Sequence, residues 1–181
     1  MVNRVFYFAY GTTQRGFPTY DLIADVLGTS LGRFRTAVPH QLVVARRPAC
    51  SNPGCRLVHR MCGLLPGRGG DILVEGDLFD VGPAALDVLD KGENYRSGDE
   101  AGSTYLRRPV LVFGIDQQAE SIEAQAYFIA DAGAWRRLLA RGDAETVERY
   151  TLEMADGGLK QCCRRNPGHA GPHDVIDVFA V

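Results

Sequence analysis

The tightest constraint on this chain lies near its start, where the apolar run Phe6-Tyr7-Phe8-Ala9-Tyr10 gives way at once to Gly11-Thr12-Thr13-Gln14-Arg15-Gly16. So dense an aromatic run reads as a buried strand. The glycine- and hydroxyl-rich turn at its end offers main-chain N–H groups to an anionic ligand. Gly11 lets the backbone approach such a ligand closely. Taken alone, the same residues also read as a strand followed by an ordinary turn.

A second segment lies further along. Val74-Glu75-Gly76-Asp77-Leu78-Phe79-Asp80-Val81 alternates apolar and polar residues, which predicts a half-buried strand, and Leu86, Leu89 and Asp90 then fall at helical spacing until Gly92 ends the helix. Glu93 follows just past that end. The helix dipole disfavours an acid there, so Glu93 reads as a chemical group, the alternative being a surface acid after a helix. Tyr105-Leu106-Arg107 opens a further strand, in which Arg107 either binds an acidic group or pairs with Asp90.

Together these segments resemble the gamma-glutamylcyclotransferase-like family, which includes the AIG2-like proteins. The family pattern is a strand ending in Tyr-Gly-Thr/Ser-Leu, a later strand with Gly-x-Leu/Phe, a helix with Leu-Asp-x-x-Glu, and a strand opened by Tyr-x-Arg. Here these are Tyr10-Gly11-Thr12-Thr13, Gly76-Asp77-Leu78-Phe79, Leu89-Asp90-Lys91-Gly92-Glu93 and Tyr105-Leu106-Arg107. The resemblance covers about residues 3 to 130, with Thr13 where leucine is usual and Gly92 beside the acid.

The resemblance implies a small, partly closed β-barrel with the site at its mouth. It also implies a gamma-glutamyl cyclotransferase, releasing 5-oxoproline and a free amine from a gamma-glutamyl amine or amino acid, with Glu93 as the group that moves protons. One branch of the family removes a protective gamma-glutamyl group from a biosynthetic intermediate. In this reading Tyr10, Gly11, Thr12 and Thr13 hold the substrate carboxylate. Tyr105 and Tyr127 line the pocket, or else belong to the core. No cofactor is expected for catalysis. The alternative is a non-catalytic member that binds a small anionic ligand and uses a zinc-stapled segment to contact a protein.

Composition narrows the partners. The net charge is −2, with no basic stripe, so nucleic acid is not an expected partner. No apolar stretch approaches the roughly 20 residues that span a bilayer, and no membrane partner is expected. Arg4 interrupts the first apolar run and no small-residue cleavage site follows it, so a cytoplasmic location is expected. Thiols stay reduced there, and five cysteines, an odd number, argue against a disulfide framework. Serine-hydrolase elbow, P-loop and dinucleotide motifs are all missing from the sequence.

Periodicity gives strands near 3–9, 34–46, 71–80, 104–115 and 120–130, helices near 20–28 and 131–155, and a closing β-rich run at 175–181. Leu22, Ile23, Val26 and Leu27 are expected to share one face of the first helix. The fold class is α+β, a single domain over 1–181. Two segments interrupt the family pattern. One is a Cys/Arg-rich insertion at about 47–70, the other a Cys/His-rich segment at about 156–174. Cys163-x5-His169-x3-His173 has zinc-ligand spacing, and Cys50 or Cys55 is expected to join it around one structural Zn²⁺. Cys62, His59 and Cys162 are further possible metal ligands in the two segments, which read otherwise as surface loops with unpaired thiols and solvated histidines. Asp77, Asp87, Asp99 and Glu100 are expected at the surface.

Overall fold

The computed structural model describes residues 4–17, 19–48, 58–67, 70–116 and 120–155. In chain order the elements are β1 (Val5–Ala9), α1 (Tyr20–Leu27), β2 (Thr29–Thr36), β3 (Gln41–Pro48), β4 (Val58–Leu65) and β5 (Glu75–Val81). They continue with α2 (Pro83–Gly92), β6 (Tyr105–Gly114), β7 (Ile122–Ile129), α3 (Ala132–Arg141), β8 (Ala144–Thr146) and α4 (Leu152–Ala155). The α+β class and the small barrel are both present.

Five strands close a ring in the order β1-β5-β2-β6-β7. Its neighbours are antiparallel except at the closure, where β1 meets β7 in parallel at Tyr7 and Gln125. The same edge of β7 then meets β4, also in parallel, at Leu64 and Phe128. β1 and β4 therefore share one edge of β7 at successive positions. Beyond β4 the sheet continues as an arm through β3 to β8.

Alternation along the strands sorts side chains into two cores. Phe8, Leu78, Val110, Val112, Ala124 and Ala126 fill the barrel interior. Tyr7, Ala9, Phe79, Tyr105, Tyr127 and Ile129 face the other way and pack with Ile23, Leu27, Ala85, Leu89 and Trp135 of the helices. Proline at the first position of α2 presets its start, and Asp131 caps α3 through the Ala134 N–H.

Several expectations require correction. The strand expected at 34–46 is two strands, β2 and β3, divided at Ala37–His40 where Pro39 has no N–H to give a ladder. The expected helix over 131–155 stops at Gly142, whose φ of 77° takes the left-handed cap, and β8 and α4 follow. The 47–70 insertion is not all loop, since β4 lies inside it and pairs with β3 from Gln41–Leu65 to Pro48–Val58. Leu22 points away from the buried face of α1 and is half exposed, while Ile23 and Leu27 are buried. Asp77 is buried rather than at the surface, because it accepts the Arg15 N–H at 2.8 Å and faces Arg33 at 3.8 Å. The 175–181 run lies outside the described residues. No helix among the described residues is long and apolar enough to cross a membrane.

Candidate functional site

The turn after β1 is shaped by side chains as well as by its own backbone. The Gln14 N–H closes it on the Gly11 carbonyl at 3.3 Å. The Gln14 side chain is buried beneath, its Nε2 donating to the Tyr10 and Gly11 carbonyls at 2.9 and 3.1 Å and its Oε1 accepting from Arg33 at 3.0 Å. Thr13 is buried too, with Oγ1 2.8 Å from the Tyr7 hydroxyl. Gly11 and Thr12 are left half-buried.

Tyr10 works as a joint of the barrel wall. Its hydroxyl donates to the Tyr127 carbonyl and accepts the Leu64 N–H, so it supplies a rung between β7 and β4 where β1 and β4 share one edge. β4 thereby comes up against the turn. Cys62 Sγ lies against Gly11, where a Cβ would stand 2.8 Å away, and the Thr12 N–H is directed at that sulfur. The Tyr105 hydroxyl donates to the Cys62 carbonyl at 2.8 Å.

Glu93 is the residue that caps α2. Its own N–H bonds to the Leu89 carbonyl at 2.8 Å. The chain then turns sharply through Asn94, whose φ of 49° is in the region that asparagine tolerates better than most residues. Asn94 is held by Thr104, side chain to side chain at 2.9 Å. Glu93 is half-buried as a residue, and desolvation pushes its carboxyl up to about 7. Its charge in turn raises the phenols of Tyr7, Tyr10 and Tyr127 and the thiol of Cys62, each already raised more strongly by burial. These groups come from β1 and the residue after it, β4 and β7, and carry no charge near neutral pH.

One helical turn before Glu93, Asp90 accepts the Tyr127 hydroxyl at 2.7 Å and pairs with Arg107 at 3.1 Å. Of the two readings of Arg107, the structure has the pair with Asp90. Burial raises the Asp90 carboxyl, against the lowering effects of the Tyr127 hydrogen bond and the Arg107 charge.

The sequence-derived residues thus converge. Glu93, Tyr10 and Tyr127 are electrostatically coupled, Gly11 and Thr12 meet Cys62, and Tyr105 reaches the same strand. The hydroxyls of Tyr10, Thr13, Tyr105 and Tyr127 all have partners within the protein. Sequence reasoning missed Tyr7 and Gln14, and counted Cys62 only among thiols for a metal. The sole available signal was their closeness in sequence to the turn, or to a strand that reads as loop.

The suggested zinc ligands Cys50, Cys55, Cys163, His169 and His173 lie outside the described residues. Among the described residues no group of three or more His, Cys, Asp or Glu is placed to hold a metal ion. A surface groove of about 610 Å³ is lined by Arg15, Gly16, Tyr20, Arg33 and Asp77 among others and does not include Glu93. A carboxyl held near neutrality marks the site better than the size of an open groove does.

The profile of the family described as "Gamma-glutamyl cyclotransferase, AIG2-like" matches residues 7–146. No curated protein matches the chain. Among solved structures, an uncharacterised human protein, loc79017, is similar with a TM-score of 0.50 and 15% identity, over 98% of this chain and 99% of its own. That likeness concerns the fold. A gamma-glutamyl cyclotransferase is similar at 16% identity and a TM-score of 0.46, over 70% of this chain and 67% of that one. YkqA from Bacillus subtilis is similar at 14% identity and a TM-score of 0.45 over 77% of this chain, which spans 43% of YkqA's length.

Proposed function

The chain belongs to the gamma-glutamyl cyclotransferase, AIG2-like family, and on that premise we propose that it cleaves a gamma-glutamyl amide by cyclisation, releasing 5-oxoproline and a free amine. The observation that carries this reading is Glu93, a carboxyl raised to about 7 by burial and set among neutral phenols beside the Gly11–Thr12 turn.

The substrate's α-amine attacks its own γ-carbonyl to close a five-membered lactam, and the C–N bond to the departing amine breaks. Holding the glutamyl arm folded can contribute several kcal/mol, on the order of 7 at best. Main-chain N–H groups of Gly11 and Thr13 and the Thr12 hydroxyl, with the ring faces of Tyr105 and Tyr127 nearby, hold the α-carboxylate end in that pose. An α-amine with a reference pKa of about 8 is mostly ammonium at neutral pH and must lose one proton to solvent before it attacks. Glu93 takes a proton from the attacking nitrogen and gives one to the leaving nitrogen. A carboxyl near 7 holds either protonation state at comparable population, which suits it to both transfers.

The leaving amine would lie against the insertion, whose strand β4 brings Cys62 to the turn. A donor with a bulky amine, such as a gamma-glutamyl-protected biosynthetic intermediate, is therefore part of the proposal, and the enzyme would act on it in the cytoplasm. For the Cys/His segments we propose one structural zinc held by Cys163, His169 and His173 with Cys50 or Cys55, on ligand spacing alone. The activity is tested by mass-spectrometric detection of 5-oxoproline from a panel of gamma-glutamyl amino acids and amines. Product from at least one donor is expected. No product from any donor would favour a non-catalytic binder of small anions.

A further inference from the structure

No hydrogen bond or ion pair among the described residues fixes the Glu93 carboxyl itself, and burial is the only cause of its shift. Something else must hold the end of α2 against the wall. Arg107 and Tyr127 face each other directly across the β6–β7 ladder, so their side chains leave the sheet side by side on one face. Both reach Asp90, the phenol to one carboxylate oxygen at 2.7 Å and the guanidinium to the other at 3.1 Å. The main-chain carbonyl of Asp90 also accepts the Tyr95 N–H at 2.8 Å, which closes the loop just beyond Glu93. The Tyr95 ring lies 5.5 Å from the Arg107 guanidinium. Residues 90 to 95 are thus bracketed at both ends by one cross-strand pair.

We propose that Asp90 is a positioning residue for Glu93: through Arg107 and Tyr127 it clamps the last turn of α2 to β6 and β7 and so keeps the Glu93 carboxyl turned in under the wall. The inference rests on the functional reading only in treating Glu93 as the working acid.

The test is the titration of Glu93, followed by carbon-13 NMR of its carboxyl in the wild type and in Arg107→Gln, Tyr127→Phe and Asp90→Asn. The other groups coupled to Glu93 are Tyr7 from β1, Tyr10 just past its end, Cys62 from β4 and Tyr127 from β7, all raised far above the range scanned, so they stay neutral throughout. Arg107→Gln separates the two explanations. Loss of a nearby positive charge by itself would raise the Glu93 midpoint, whereas release of the clamp lets the carboxyl reach water and lowers it, by about one pH unit. Tyr127→Phe removes no charge and should lower it in the same direction. A midpoint that stays near 7 or rises in both folded variants would overturn the proposal, and Asp90→Asn should then also leave it unmoved. If the wild type makes no 5-oxoproline, the enzymatic reading fails while the titration still decides the clamp. If it does, Arg107→Gln should lower kcat roughly tenfold or more with little change in KM, as expected when the proton-transfer group loses its place.

Discussion

The sulfur of Cys62 occupies the space where a side chain on Gly11 would begin, with 2.8 Å between Sγ and a Cβ built on the glycine. The Thr12 N–H points at the same sulfur. Glycine is needed at 11 for close approach of another strand, and the thiol from β4 backs the turn from below.

Gly11→Ala should therefore overpack this contact, at a cost of about 1 to 3 kcal/mol. Cys62→Ala in the same chain should recover a good part of that loss. Urea unfolding of the two single variants and the double variant measures the coupling. Strictly additive effects would mean that the two residues do not press on each other.

Glu93 makes stability depend on pH in a direction set by its raised pKa. An unfolded-chain glutamate ionises near about 4.3, while the folded carboxyl ionises near about 7. Between those values the folded state binds more protons, so stability falls as pH rises, and the penalty is fully in place above about 7. Glu93→Gln removes the titration. Relative to wild type, the variant should gain about 1 to 3 kcal/mol on going from pH 5 to pH 8, the range allowing for partial solvation. Urea unfolding at the two pH values checks this. A difference that does not change with pH would show that the Glu93 carboxyl is not desolvated in the folded state.

Gln14→Leu keeps the volume under the turn and removes its two donors and one acceptor. Stability should fall by about 2 to 3 kcal/mol, because buried carbonyls and one arm of Arg33 lose partners. KM for the best donor should rise about tenfold, with a smaller change in kcat, if the turn holds the substrate carboxylate in ground and transition state alike. Thermal unfolding and steady-state kinetics read the two effects separately.

What was legible in the sequence is what local order determines. The aromatic strand, the turn after it, α2 and the position of Glu93 all follow from neighbours within a few residues, and Gly92 and Asn94 mark where α2 must end. The wall that buries the acid was hidden, because β4 lies within a stretch rich in Pro, Gly, Cys and Arg and pairs with β7 across more than sixty residues of sequence. Asp77 read as a surface acid because its partner is a main-chain N–H of Arg15, which no side-chain pattern reveals. The hydroxyl of Tyr10 stands in for a ladder rung, and nothing in its neighbours announces that role.

The cysteine and histidine segments make a separate prediction. Protein purified without chelator should carry close to one equivalent of zinc, and Cys163→Ser or His169→Ala should lower that content. Less than about half an equivalent in the wild type would remove the zinc site from the account.

The most direct test of the central claim compares 5-oxoproline release by the wild type and by Glu93→Gln with the best gamma-glutamyl donor. Glutamine keeps the size of the side chain and cannot exchange the proton, so the rate should fall by roughly 10²- to 10⁴-fold while the fold is retained. A wild-type rate that survives the substitution would contradict the assignment of Glu93 as the acid and base of the reaction.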